Sequence, residues 1–153
     1  MLYRNPDQLK AILKPKERLL GLDVGAKTIG LAISDTTRLI ASPHSTIQRT
    51  SFANDALNLN VLVQQETIGG IVIGLPINMN GSEGRRCQSV RQFAHNLFEY
   101  TQLPMVFWDE RLSTVATERT LISANVSRQK RVRVIDKLAA TYILQGALDS
   151  LTS

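Results

Sequence analysis

Three carboxylates stand where predicted strands and a predicted helix would let them meet. Asp23 follows the apolar run Leu19, Leu20 and Leu22, and Gly25 lies just beyond it, where the backbone must turn. Glu110 follows the strand-like PMVFW segment, and Asp136 lies in the first turns of the last apolar-periodic segment. An acid at the tip of a buried strand suits a cation, although an Asp there can also bond its own backbone in a turn. Glu110 could equally pair with an Arg, and Asp136 could favour a helix N-terminus. Gathered in one cleft, three carboxylates repel and take up protons unless cations occupy the site. Oxygen-only ligation favours Mg²⁺ or Mn²⁺ over zinc. Two such ions about 3.5–4 Å apart can activate a water and stabilise the leaving oxygen of a phosphodiester. His44 and His95 are not at metal-ligand spacing. Asp35 and Asp109 are neighbouring acids; Asp35 reads as a turn residue that ends a strand.

Positioning the three acids requires a particular sheet. The segments 19–24, 28–34 and 38–47 read as strands, the third demoted to an edge by Pro43. Their short links make them antiparallel neighbours. A helix over about 54–66, capped by Asn54 and ended by Gly69-Gly70, leads to the β-branched run Ile71–Pro76. A helix over 85–100 leads to the fifth strand, 104–108. Ser113 can cap a helix reaching about Ala124, and the last helix runs over about 134–151. Before the first strand, Leu9, Ile12 and Leu13 suggest a short helix stopped by Pro15.

The predicted fold class is therefore α/β, a ribonuclease H-like mixed five-stranded sheet of order 3-2-1-4-5 with helices on both faces. Ligands in such sheets bind at the carboxyl ends of the parallel strands. Strands one and five end about 10 Å apart, at ~4.8 Å per strand. Glu110 must then lean over the fourth strand, where Gly74 offers no side chain.

Composition agrees with one such domain over 1–153, its core at about 19–151. The chain has 153 residues, 43% hydrophobic and 20% charged, which excludes a disordered chain. No apolar run approaches the ~18 residues of a membrane span, so no membrane partner is expected. The single cysteine, Cys87, forms no internal disulfide, in keeping with a cytoplasmic location. A net charge of +5 suggests an anionic partner, most simply nucleic acid.

The basic residues are placed accordingly. Lys27 lies in the turn after Asp23 and Arg111 next to Glu110. Arg85 and Arg86 open a helix against its dipole, which favours a phosphate-binding role. Arg128, Lys130, Arg131 and Arg133 lie in SRQKRVRV, which lacks helical apolar spacing and reads as a basic loop before Asp136. These side chains could clamp a nucleic-acid backbone or simply be solvated.

Four motifs in order, GLDVGAKTIGLAISD, IVIGLPINMNGSEG, WDERLST and VIDKLAATYILQGAL, resemble the YqgF family of RNase H-fold proteins, relatives of the RuvC Holliday-junction resolvases. The resemblance covers about residues 19–151. It implies a nuclease linked to maturation of the 5′ end of pre-16S rRNA, and some members are named as junction resolvases. Asp23, Glu110 and Asp136 match the family's metal-binding acids; Lys27 and Arg111 match its positive positions beside the first two. Asn80 stands where many relatives have Asp, and Ala139-Ala140 stand where RuvC-type resolvases carry a second acid one turn after the first.

The expected function is a metal-dependent nuclease acting on precursor 16S rRNA, monomeric or homodimeric. The alternatives are a resolvase cutting DNA junctions and a non-catalytic nucleic-acid-binding factor in ribosome assembly. Asp23 to Gly30 also resembles the phosphate loop of actin-like ATPases, which pair two such domains in a much longer chain.

Overall fold

The computed structural model describes residues 2–3, 6–112 and 128–152, with side chains for 6–112 and 137–151. The strands are β1 (Leu2–Tyr3), β2 (Arg18–Val24), β3 (Thr28–Ser34), β4 (Ala41–Gln48), β5 (Ile68–Leu75) and β6 (Met105–Asp109). The helices are α1 (Pro6–Lys10), α2 (Phe52–Gln65), α3 (Arg85–Thr101) and α4 (Arg128–Thr152). They build one sheet of order β1-β6-β5-β2-β3-β4. β2 pairs antiparallel with β3, and β3 with β4. β2, β5 and β6 are parallel neighbours. This is the five-strand order expected from the sequence, with one addition. The two-residue β1 joins the outer edge of β6 in parallel; so short a strand carries no periodicity.

Side-chain alternation divides the core between the two faces. Leu20, Leu22, Ile71, Ile73 and Met105 pack under α2 and α3, against Leu59, Val90, Phe93 and Leu97. Leu19, Val72 and Val106 point the other way, against Ala140, Ile143, Leu144 and Leu148 of α4 and Leu9 of α1. Each fully buried Leu or Ile adds about 1.5–3 kcal/mol by leaving water. α4 lies close to the sheet because β2 has Gly21 beneath it: a Cβ there would sit 2.8 Å from the Leu144 Cβ and 3.1 Å from the Ala140 carbonyl oxygen. Lys10 of α1 donates to the Leu151 carbonyl at 2.9 Å. The carboxyl end of α4 therefore lies toward the start of β2, and its earlier turns lie toward the end of β2, where ligands are expected.

Several boundaries differ from the expectation. Ser51, not Asn54, caps α2, its hydroxyl accepting from the Asn54 N–H at 3.2 Å. α2 ends at Gln65 with Thr67 at φ 54°, while Gly69 and Gly70 belong to β5. They are glycines because Glu17 and Leu9 fill the space above them. α4 begins at Arg128, not near 134. SRQKRVRV lacks an apolar stripe, but Arg, Gln and Lys are good helix formers, and propensity prevails over pattern. The helix expected from Ser113 lies outside the described residues. β4 is an edge strand as Pro43 foretold, with a register shift opposite it between Leu31 and Ala32.

Candidate active site

Asp23 is the next-to-last residue of β2 and its side chain points to the α4 face. It is only 5% exposed. On one side its partner in the ladder is Gly30 of β3. On the other, carrying the Leu22–Ile73 register forward by one residue puts Gly74 of β5 beside it. Both neighbours on this face lack side chains, so the carboxylate lies in a notch.

Glu110 reaches the same notch from β6. It opens a 3₁₀ turn, Glu110–Leu112, directly after Asp109. A Cβ on Gly74 would lie 2.9 Å from Glu110 Oε1. The carboxylate therefore occupies the space that Gly74 leaves over β5, one strand spacing, about 4.8 Å, from the Asp23 backbone. This is the lean across the fourth strand that the sequence demanded. Ile143 of α4 shares the Gly74 space.

Asp136 lies on α4, one turn before Ala140, or about 6 Å along the axis at 1.5 Å per residue. Ala140 covers Gly21, two residues before Asp23. The backbone of Asp136 thus belongs to the turns that run toward the Asp23 end of β2; its side chain lies outside the described residues. Among the described residues no three His, Cys, Asp or Glu side chains gather as a metal site. The two described donors, Asp23 and Glu110, are carboxylates, a set that fits a hard divalent cation better than zinc.

The basic residues separate into groups. Lys27 is exposed in the β2–β3 turn. Arg111 is engaged: its Nε and Nη2 donate to Asp109 at 3.1 and 2.7 Å, and Nη1 reaches the Asn78 and Met79 carbonyls at 3.4 and 3.5 Å. The guanidinium holds the Asp109 carboxyl below its ordinary range. Asp109 ends β6 two residues after Phe107, on the opposite face from Trp108. It is a clamp for the 78–84 loop in the company of Arg111. That loop also binds itself, with Ser82 donating to Asn80 Oδ1 at 2.6 Å and Gly81 at φ 89°. Arg85 and Arg86 are exposed at the start of α3, whose cap, Gly84, offers no side chain. Arg128, Lys130, Arg131 and Arg133 occupy the first two turns of α4, and their side chains lie outside the described residues. Cys87 is buried, which pushes its thiol up and leaves it unreactive.

Arg49 escaped the sequence reading. It follows β4, donates from Nη1 to the Gly25 carbonyl at 2.6 Å, and lies 3.7 Å from the buried carboxylate of Asp55. It therefore ties the turn after Asp23 to the start of α2. The signal available was a lone Arg after a weak edge strand, which no spacing rule distinguishes from a solvated one.

The sheet order defines a ribonuclease H-like fold of the RuvC type. RuvC of Thermus thermophilus, in complex with a Holliday junction substrate, superposes with a TM-score of 0.56 at 10% identity, covering 90% of this chain and 96% of that one. The yeast mitochondrial Holliday junction resolvase gives 0.53 at 14% identity, covering 94% and 82%. Within that class, a family model described as RuvX, Holliday junction resolvase, matches residues 17–150. The chain belongs to that family, also called YqgF. A protein of Paramagnetospirillum magneticum is 55% identical over 145 residues, 95% of this chain and 94% of its own length. One from Ruegeria pomeroyi is 53% identical over 151 residues, covering 99% and 98%. Both are named, provisionally, pre-16S rRNA nucleases.

Proposed function

We propose that this protein is a metal-dependent nuclease that hydrolyses phosphodiester bonds at the 5′ end of precursor 16S rRNA, in the cytoplasm. The observation that carries the reading is the carboxylate of Glu110 lying in the Gly74 space beside Asp23. Glycines on both sides of an acid are costly in a strand, since glycine loses the most freedom on folding. They make sense where carboxylates and their ligand need the room. The names of the relatives at 53–55% identity supply the substrate.

Asp23, Glu110 and Asp136 would hold Mg²⁺ or Mn²⁺. Such ions supply Lewis-acid activation of water and charge stabilisation at the scissile phosphate. The chain's own part is to fix the donors. Asp23 is held by the ladder to β3 and directly follows the last pair of the ladder to β5, and Glu110 is held by the turn that Arg111 and Asp109 brace. Lys27, Arg85, Arg86, Arg111, Arg128, Lys130, Arg131 and Arg133 are assigned to the nucleic-acid backbone, Arg111 through the loop it pins.

The test is cleavage by the purified protein with Mg²⁺ or Mn²⁺ of a precursor 16S rRNA 5′ fragment and a four-way DNA junction, beside Asp23→Asn and Glu110→Gln. RNA cut only by the unmutated protein is the expected result. The family description and the RuvC-like fold favour one second reading, a junction resolvase; symmetric cutting of the junction alone would establish it. No cleavage of either substrate, with binding intact in both variants, would leave a non-catalytic assembly factor.

A further inference from the structure

On the opposite face of the sheet from the acids, a pocket of about 390 Å³ opens beside the β2–β3 turn. Gly25 forms one wall, Arg49 another, and Arg85, Arg86 and Ser89 of α3 the third, over an apolar floor that includes Val90. Its charge is out of balance. Three guanidinium groups line it, and one carboxylate, that of Asp55, lies 3.7 Å from Arg49. Glu83, the acid nearest to Arg85 in sequence, is taken by Arg91 at 2.7 and 2.9 Å. The side chains of Arg85 and Arg86 form no hydrogen bond or ion pair among the described residues. The first turn of α3 contains no acid, so both arginines oppose the helix dipole without a carboxylate in that turn to offset them.

Arg49 is the fixed member. Its guanidinium is stacked 5.3 Å from the Phe93 ring centroid and tied to the Gly25 carbonyl, and its backbone N–H donates to the Lys27 carbonyl at 2.9 Å. Nη2 engages no described residue. A fixed guanidinium and two exposed arginines lining the same pocket are groups that suit a tetrahedral oxyanion.

We propose that this pocket seats the terminal phosphate monoester of a nucleic-acid strand, a second phosphate site separate from the acid pair. Among the described residues the pocket carries an excess of two positive charges, which matches a monoester at about −1.5 to −2 at neutral pH and exceeds the single charge of an internal diester. The volume is that of a small-ligand site and takes the attached sugar as well. Only the identity of the phosphate's carrier rests on the nuclease reading. Val24, which lines the pocket, directly follows Asp23 and faces the other side of the sheet, so the pocket and the Asp23 carboxylate flank the same end of β2 on opposite faces. The proposed site would make the protein read strand ends.

The test is calorimetric titration of the full chain with a nucleoside 5′-monophosphate in the presence of a chelator. Parent and Asp23→Asn should bind it equally, and both should bind the nucleoside without phosphate at least about tenfold more weakly. The double variant Arg85→Gln/Arg86→Gln should lose about tenfold or more while melting no lower than the parent, because both side chains are exposed and oppose the dipole. Failure to bind, binding unmoved by the double variant, loss in Asp23→Asn, or a lowered melting temperature in the double variant would each overturn the assignment. RNA oligonucleotides of one sequence with 5′-phosphate, 3′-phosphate or hydroxyl ends then ask which end is read. A gain of about tenfold from one phosphorylated end supports the proposal, and equal affinity for all three overturns it. With metal removed, these readouts are independent of cleavage, so a protein that cuts nothing could still pass them.

Discussion

Gly70 and Gly74 lie on one strand and one face, four residues apart, and the structure uses their missing side chains in opposite ways. Above Gly70, at the amino end of β5, the space is filled with hydrocarbon: Leu9 Cδ1 would lie 2.8 Å and Leu19 Cδ2 3.0 Å from a Cβ. Above Gly74, at the carboxyl end, Ile143 shares the space with the Glu110 carboxylate. A glycine filled by leucines lets the sheet be covered. A glycine partly filled by the Glu110 carboxylate, beside the buried Asp23, suits the charged site proposed above. The two ends of one strand thus separate packing from the proposed chemistry.

Removing the charge itself is the strongest way to test that separation. Glu110→Gln keeps the shape and should lower cleavage on the order of 10³-fold with little change in melting temperature; single-turnover rates with the RNA fragment check it. Gly74→Ala comes next. Its Cβ would push on the end of the Glu110 side chain and on Ile143, so cleavage should fall on the order of 10²-fold through misplacement alone, with a stability loss of about 1–3 kcal/mol. Gly70→Ala should cost a similar stability in denaturant unfolding but leave the rate per folded molecule unchanged. Equal rate losses at Gly70 and Gly74 would break the comparison, because packing would then explain both.

What was legible in the sequence follows the same division. The all-buried strands β2 and β5 announce themselves as apolar runs, and once their order is set, Glu110 has to pass over Gly74. The register therefore carried the acid pair. Gly69 and Gly70 misled for a physical reason: glycine stops a helix and also admits a close neighbour, and only Leu9 and Glu17, remote in sequence, decide between the two. Arg49 was invisible for a similar reason, since its meaning lies in Gly25, Asp55 and Phe93, elements that the chain brings together only by folding. The start of α4 was missed because a polar helix leaves no stripe to read.

A second acid sharpens the contrast with the smallest expected effect. Asp35 directly follows β3 and so lies at the opposite end of the sheet from Asp23. It accepts from the Leu39 and Ile40 N–H groups at 2.9 and 3.1 Å, and from the Thr37 hydroxyl. These bonds, the Thr37 hydroxyl first, lower its pKa to about 2 from an ordinary 3.8. This carboxylate is a turn device, both of its oxygens engaged by donors of the turn. Because the folded value is the lower one, its stabilisation is complete above about pH 4 and is lost as pH falls toward 2. Asp35→Asn should therefore lower stability by a few tenths to about 1 kcal/mol at neutral pH, discounted for exposure. The gap in melting temperature between parent and variant should close between pH 4 and pH 2, and cleavage should be unaffected. A gap that widens on acidification, or a variant that folds normally and does not cut, would place Asp35 with the functional acids instead.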